Sequence, residues 1–357
     1  MADSSMKLSN EISLKVLLCA YYEKDVFDEC TNITFDQQAF SLLLDIAGRN
    51  HLKKSFRRFI SNRGFFLNAS HHYDSCIDDQ TYEWFNTLKK IVHIVGETLG
   101  ERYVLIKLPL NPWRIDVSDV DICLCNPKDV LSLSKKLEEE GYELYGFRLL
   151  THPLKTLAIR TGNTVSIDLY YGIRWLSVKP HDCRDIYLRR KKSEYYGLNI
   201  ITPNADDDLY IRATHAYYHG EIPLADILQG MDLIAHQNFD VDYLITVSKR
   251  FGMTIPLLIY LLSMSFICDL LQCKSLPLIK ELISALYKES NPVLIEKIPE
   301  IKKLRKKFFE FPVKISTISL TISTIMNAKS IKYADFLSLY YTLQAPFLIK
   351  ISKLIKG

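Results

Sequence analysis

The stretch 117-VSDVDICLC-125 sets two aspartates, one residue apart, into a run that otherwise reads as a buried β-strand. A carboxylate in such a place loses hydration, which is costly unless something positive sits beside it. Side chains alternate across a strand, so Asp119, Asp121 and Cys123 share one face and Val120, Ile122 and Leu124 the other. Positions two apart are separated by roughly 6.6 Å, close enough for both carboxylates to converge on a cation. A second strand, 164-TVSIDLYYG-172, repeats the pattern, with Asp168 between Ser166 and Tyr170 on the polar face. Three carboxylates on neighbouring strands make an all-oxygen donor set suited to Mg²⁺ or Mn²⁺. Two such ions about 4 Å apart serve phosphoryl and nucleotidyl transfer. The blander alternative makes Asp119 a turn cap after Ser118, with Asp121 and Asp168 as ordinary exposed-face residues.

Working outward, 103-YVLIKLP-109 is a short apolar β-type run, followed by a loop with Asn111 and Pro112 as turn formers. After the Asp-containing strand, 129-DVLSLSKKLEEEGY-142 reads as an amphipathic helix stopped by Gly141. Further strands follow at FRLL (147–150), TLAIRT (156–161) and the Asp168 segment, the last two turning at 162-GN-163. The flanks read as helical. Leu14, Leu17, Leu18 and Tyr21 recur at helical spacing, as do Phe40, Leu43, Leu44 and Ala47, and then Trp84, Leu88, Ile91, Val92 and Val95, with Gly96 and Gly100 as stops. Beyond residue 200, 205-ADDDLYIRATHAYYHG-220 is a helix with an acidic start, and Ile315, Ile318, Ile322 and Ile325 fall at near-helical spacing. The fold class is α+β: a small mixed sheet in residues 101–202, a helical N-terminal region in 1–100 and a helical C-terminal domain in 203–357.

At 357 residues, with 48% hydrophobic and 24% charged, the chain has the composition of a folded protein and is too apolar for a disordered one. Its net charge of +4 announces no global attraction for nucleic acid, so any such attraction has to come from local clusters. Eight cysteines without CxxC spacing, and no leader at the start, predict reduced thiols in a cytoplasmic protein. The longest apolar run, 254-TIPLLIYLLSMSFIC-268, is shorter than the ~20 residues of a membrane span and contains Pro256, so a buried helix is expected and no membrane partner.

Residues 103–172 resemble the catalytic core of the DNA polymerase beta-type nucleotidyltransferases, and more closely their uncharacterised bacterial and archaeal branch of minimal and toxin-like members. The resemblance is carried by 105-LIKLP-109, Arg114, 119-DVD-121, 141-GY-142 and 167-IDL-169, and continues into 201-ITPNADDDLYIRATHAYYHGEIPLADILQGMDLIA-235. It implies a nucleotidyltransferase core that moves an NMP from an NTP to an acceptor hydroxyl, on RNA such as tRNA or on a protein. Asp119, Asp121 and Asp168 would hold Mg²⁺ or Mn²⁺, with Asp168 as a candidate base. Lys107 and Arg114 would neutralise phosphate charge and Ser118 would donate to a phosphate oxygen. The superfamily usually places a glycine pair ahead of the aspartates, where this chain has Lys107-Leu108-Pro109. That departure motivates the competing reading, a degenerate nucleotidyltransferase fold used for binding. Nuclease chemistry is a third option, since carboxylate trios serve hydrolysis too.

Basic runs at 53-KKSFRRFISNR-63, 189-RRKK-192 and 302-KKLRKKFF-309 are the candidate nucleic-acid contacts. Lys53, Lys54, Arg57, Arg58, Arg189, Arg190, Lys191 and Lys192 would carry that role, with Tyr195 and Tyr196 placed to stack a base. A solvated face is the plainer reading of each run. His215 and His219 stand at zinc-ligand spacing but lack an adjacent Glu, and a hydrogen-bonded histidine behind the active site fits better. The acidic run Asp206–Asp208 has a dipole reason to begin a helix.

Overall fold

A computed structural model describes residues 10–23, 27, 37–62, 73–146, 155–173, 179–289, 295–296, 298–305, 311–316, 319–320 and 323. The chain is mixed α+β. Strand β1 (Val104–Ile106) pairs antiparallel with β2 (Asp119–Leu124), Ile106 lying opposite Asp121. On its other side β2 runs parallel to β5 (Ser166–Tyr171), so that Asp121 faces Asp168 across the ladder. Strand β4 (Lys155–Arg160) and then β3 (Tyr142–Gly146) add antiparallel neighbours, giving the order β1-β2-β5-β4-β3. The β4–β5 hairpin turns where Gly162 and Asn163 predict it, Asn163 N–H donating to the Arg160 carbonyl at 3.0 Å.

Parallel neighbours cannot be joined by a tight turn, and helix α5 (Pro127–Glu139) begins the long return from β2. Its start is written locally: the Asn126 side chain accepts from Lys128 N–H, and Pro127 occupies the first turn, where no backbone donor is needed. Its end is Gly141, in the left-handed conformation at φ 82°. The FRLL segment lies outside the described residues, and the strand after α5 is 142–146 instead.

Among the described residues, helices α1 (Asn10–Tyr22), α2 (Gln37–Arg49), α3 (Lys53–Asn62) and α4 (Tyr73–Leu99) precede the sheet. Helix α4 runs straight through Gly96 and stops only before Gly100, at φ 62°, so Gly96 is no helix stop. After the sheet come α6 (Cys183–Arg189), then β6 (Lys191–Tyr195) and β7 (Leu198–Thr202) as a separate hairpin. Tyr196 and Gly197 both have positive φ (49° and 78°), the pattern of a two-residue turn that matches strand twist. This hairpin went unread in the sequence because the basic run 189-RRKK-192 masks its start.

Among the described residues the elements that follow are α7 (Ala205–Tyr218), β8 (Glu221–Ile222), α8 (Leu224–His236), α9 (Val241–Arg250), α10 (Thr254–Leu271), α11 (Leu276–Glu289), α12 (Pro299–Arg305) and β9 (Val313–Lys314), which pairs with β8. Ile315 follows β9 and its N–H bonds the Gly220 carbonyl, so it does not begin a helix; Ile318, Ile322 and Ile325 lie outside the described residues. Helix α10 is long and apolar enough to cross a membrane by length and composition, yet two thirds of it is buried inside the protein. Leu257 to Leu261 are all fully buried, and α7, α8, α9, α11 and α12 surround it. An all-round apolar helix in that position is a core helix. Its approach to α8 depends on Gly230, where an added Cβ would collide with Met264 and the Tyr260 ring.

Candidate metal and nucleotide site

The register of β2 and β5 brings the three aspartates together. Ligand oxygens of Asp119, Asp121 and Asp168 all lie within 4.8 Å of one another. Among the described residues this is the one such group of His, Cys, Asp and Glu side chains. The strand pattern leads one to expect an open polar face, and the structure corrects this: Asp121 is 5% exposed and Asp168 3%. Cys123 and Tyr170 are buried on the same face, and α7 lies over the end of β1 through contacts to Lys107 and Leu108. Asp119 is the more accessible of the trio, and Asp121 Oδ1 is buried with no hydrogen-bond partner.

A positive counterpart is already present. Lys107 Nζ lies 2.9 Å from Asp121 Oδ2 and 3.0 Å from His215 Nε2, its side chain only 11% exposed. An ammonium has donors alone, so His215 Nε2 accepts and its proton sits on Nδ1. Burial pulls the Lys107 pKa down, but the charges of Asp121, Asp119 and Asp168 outweigh it and hold the ammonium above its usual value. The same burial, reinforced by those carboxylates, pushes the Tyr170 hydroxyl well above the ordinary tyrosine range.

Where the glycine pair of the resembled superfamily would fall, Lys107 itself adopts the left-handed backbone, at φ 55°. For a side chain with a Cβ this costs ~1–2 kcal/mol and persists only when the surroundings enforce it. The enforcing contacts are visible. Lys107 N–H donates to Asp208 Oδ1 at 3.3 Å, and Arg212, itself paired with Asp208 at 3.1 Å, donates to the Leu108 carbonyl.

The loop from Pro109 to Asp119 is clamped carbonyl by carbonyl. Tyr195 holds Pro109 at 2.7 Å, Lys54 holds Pro112 at 2.9 Å, Arg58 holds Trp113 at 3.2 Å and Ser55 holds Arg114 at 2.6 Å. The buried Trp84 indole donates to the Asp119 carbonyl at 2.7 Å. Asp116 in turn caps α3, accepting from the Lys53 and Lys54 N–H groups at 3.2 Å each.

These elements enclose a cavity of about 420 Å³, in the usual range for small-molecule sites. Lys107, Ser118, Asp119 and Asp121 line one side; Arg212, His215, His219, Asp226 and His51 are also among its walls. Asp168 lies outside the lining, and so does Arg114. The Arg114 guanidinium sits 5.7 Å over the Tyr21 ring, near Asp232, so the phosphate role expected of it is not supported by its position. Arg212, which does line the cavity, went unnoticed in the sequence. Its signal was Asp208 four residues earlier on one helix.

Most of the first two basic runs make contacts within the protein, while Lys302 and Lys303 of the third are exposed. Lys54 is 2% exposed and its ammonium is bonded to Thr81 and Pro112, while Phe56 and Phe59 are core residues, so neither its charge nor those rings face a nucleic acid. Arg58 also pairs with Glu23, at 3.8 Å. Arg189, a candidate nucleic-acid contact in the sequence, is bound to Asp206 at 2.7 Å and to Asp207 at 3.1 Å. Arg190 lies over the Tyr187 ring, Lys191 bonds Gln237 at 3.2 Å and Lys192 pairs with Glu101. Lys53 and Arg57 are half-buried on α3, and Arg63 with the end of the third run falls outside the described residues. Tyr195 is spent on the loop, whereas Tyr196 is 49% exposed. Among the described residues no metal-ligand group includes His215 or His219.

Comparison with protein-family models, with curated proteins and with solved structures found no match, so the chemistry of this site is read from its own geometry.

Proposed function

We propose that the protein is a metal-dependent nucleotidyltransferase, moving an NMP from an NTP to an acceptor hydroxyl with release of pyrophosphate. The observation that carries this reading is the trio of Asp119, Asp121 and Asp168 beside a cavity, the last two buried, with Asp121 Oδ1 left without a partner. Such an oxygen is costly to bury unless a cation meets it, and three carboxylates offer oxygen ligands of the kind Mg²⁺ and Mn²⁺ prefer. An ion held there would neutralise phosphate charge and make the acceptor hydroxyl easier to deprotonate.

The chain's own residues supply the rest. Lys107 is a fixed ammonium on the cavity wall, positioned by His215 and Asp121 to meet phosphate oxygens without a flexible search. Ser118 is exposed on the same wall and can donate a hydroxyl. In the transfer, a bond forms between the acceptor oxygen and the α-phosphorus as the bond to the bridging oxygen breaks, and pyrophosphate carries the electron pair away. Asp119, the accessible carboxylate, is better placed than the enclosed Asp168 to receive the acceptor's proton.

A second reading has its own support. The Lys107–Asp121 pair partly neutralises the trio from within, which suits a fold that binds without catalysis. Incubation with each NTP radiolabelled at the α-phosphate, Mg²⁺ or Mn²⁺, and total RNA or cell protein separates the two. Label on RNA or protein, lost on the order of 10²–10³-fold in Asp121→Ala and Asp168→Ala, supports the enzyme. No transfer and no binding of any NTP supports the scaffold.

A further inference from the structure

We infer that Lys107 stands where a second ion would stand, so that the nucleotide-free pocket binds one divalent cation rather than two; this rests on reading the trio as a cation site. Asp121 is divided between two jobs. Its Oδ2 is taken by Lys107 Nζ at 2.9 Å, while its Oδ1 is buried with no hydrogen-bond partner. One oxygen of the carboxylate is therefore committed to a tethered cation, and the other is left without a hydrogen bond in a residue grouped with Asp119 and Asp168.

The ammonium is not a passing surface charge. Its side chain is 11% exposed, His215 Nε2 fixes it from the far side at 3.0 Å, and its own backbone is held in the left-handed conformation by Asp208. Charge balance leads to the same count. Three carboxylates facing one ammonium leave two net negative charges, which a single divalent ion cancels and a second would reverse. Burial makes that difference matter, because unbalanced charge in a water-poor site is poorly screened.

The test is a count of bound Mn²⁺. Full-length protein without nucleotide is titrated with MnCl₂ while the paramagnetic signal of free Mn²⁺ is followed. Wild type is expected to take up one ion per chain, and Asp121→Ala none. Lys107→Met, similar in length but uncharged, is expected to bind a second ion or to hold the first at least tenfold more tightly. Lys107→Arg, which restores the charge, is expected to return to one ion, and so separates loss of the cation from loss of the fold. Two ions in wild type, or a Lys107→Met titration identical to wild type, would overturn the inference and leave the nucleotidyltransferase reading standing. No ion in wild type at any concentration would remove the reading beneath it as well.

Discussion

Lys54 shows that position, more than residue type, decides what a charge does. Its ammonium serves Thr81 and the Pro112 carbonyl inside the protein, under the loop that leads to the aspartates. Lys54→Ala is therefore expected to lower stability by ~2–4 kcal/mol in urea unfolding, through lost packing and unserved polar groups. Any RNA binding by wild type should be unchanged in the folded variant; a selective loss of it would contradict this placement. Asp119 and Asp121 were legible in the sequence because strand alternation puts them on one face, and Asp168 because its strand repeats the pattern; the parallel register that sets Asp168 opposite Asp121 came only with the structure. Lys54, Arg114 and Arg189 were not, because a basic letter looks the same whether it faces water, stacks on a buried tyrosine or clamps a carbonyl. Lys107 was legible as a cation near the trio but not as a residue with the backbone of a glycine.

At the scale of elements, the acidic start of α7 is a set of anchors, two of which share Arg189. Asp206 takes Arg189, Asp207 takes His181 at 3.0 Å together with Arg189 and Tyr243, and Asp208 takes Arg212. The helix dipole accounts for the letters in the sequence, but the partners come from 18 to 36 residues away for Asp207 and could not be read there. Burial alone would raise the Asp207 pKa, but the His181 hydrogen bond and charge, Tyr243 and Arg189 together hold it below its usual value. A carboxyl with a depressed folded pKa contributes stability that is fully present above its unfolded value, near ~3.9, and is lost as pH falls through the folded value. Asp207→Ala should accordingly cost ~3–5 kcal/mol at neutral pH, and the gap from wild type should shrink below about pH 4. A gap that stays constant down to pH 3 would argue against the ion pair as its source. Where α8 crosses α10, Gly230→Ala is expected to cost ~1–3 kcal/mol by overpacking, seen as a lower thermal midpoint. That crossing left no sequence signal beyond one glycine in an apolar helix.

Across the whole molecule, segments far apart in sequence close around the same loop. Tyr21 donates to Asp232 at 2.6 Å and receives from Gln229 at 2.9 Å, while Asn50 accepts from the Leu224 N–H at 3.0 Å. The helices before the sheet and after it are tied by buried polar contacts, so thermal unfolding should show one transition. Asn50→Ala should cost the ~1–3 kcal/mol of a buried unmet donor, lowering its midpoint rather than splitting it in two. The order of helices, sheet and helices was legible from periodicity; these ties were not, since each joins residues more than 170 positions apart. They matter because they fix the walls of the cavity to its floor. The central claim concerns that floor, and it is tested most directly by diffraction from crystals grown with Mn²⁺ and a non-hydrolysable NTP analogue. The account predicts an anomalous peak among Asp119, Asp121 and Asp168 with the α-phosphate beside it and Lys107 against the phosphates. A nucleotide bound elsewhere, or a trio with no anomalous peak, would contradict it.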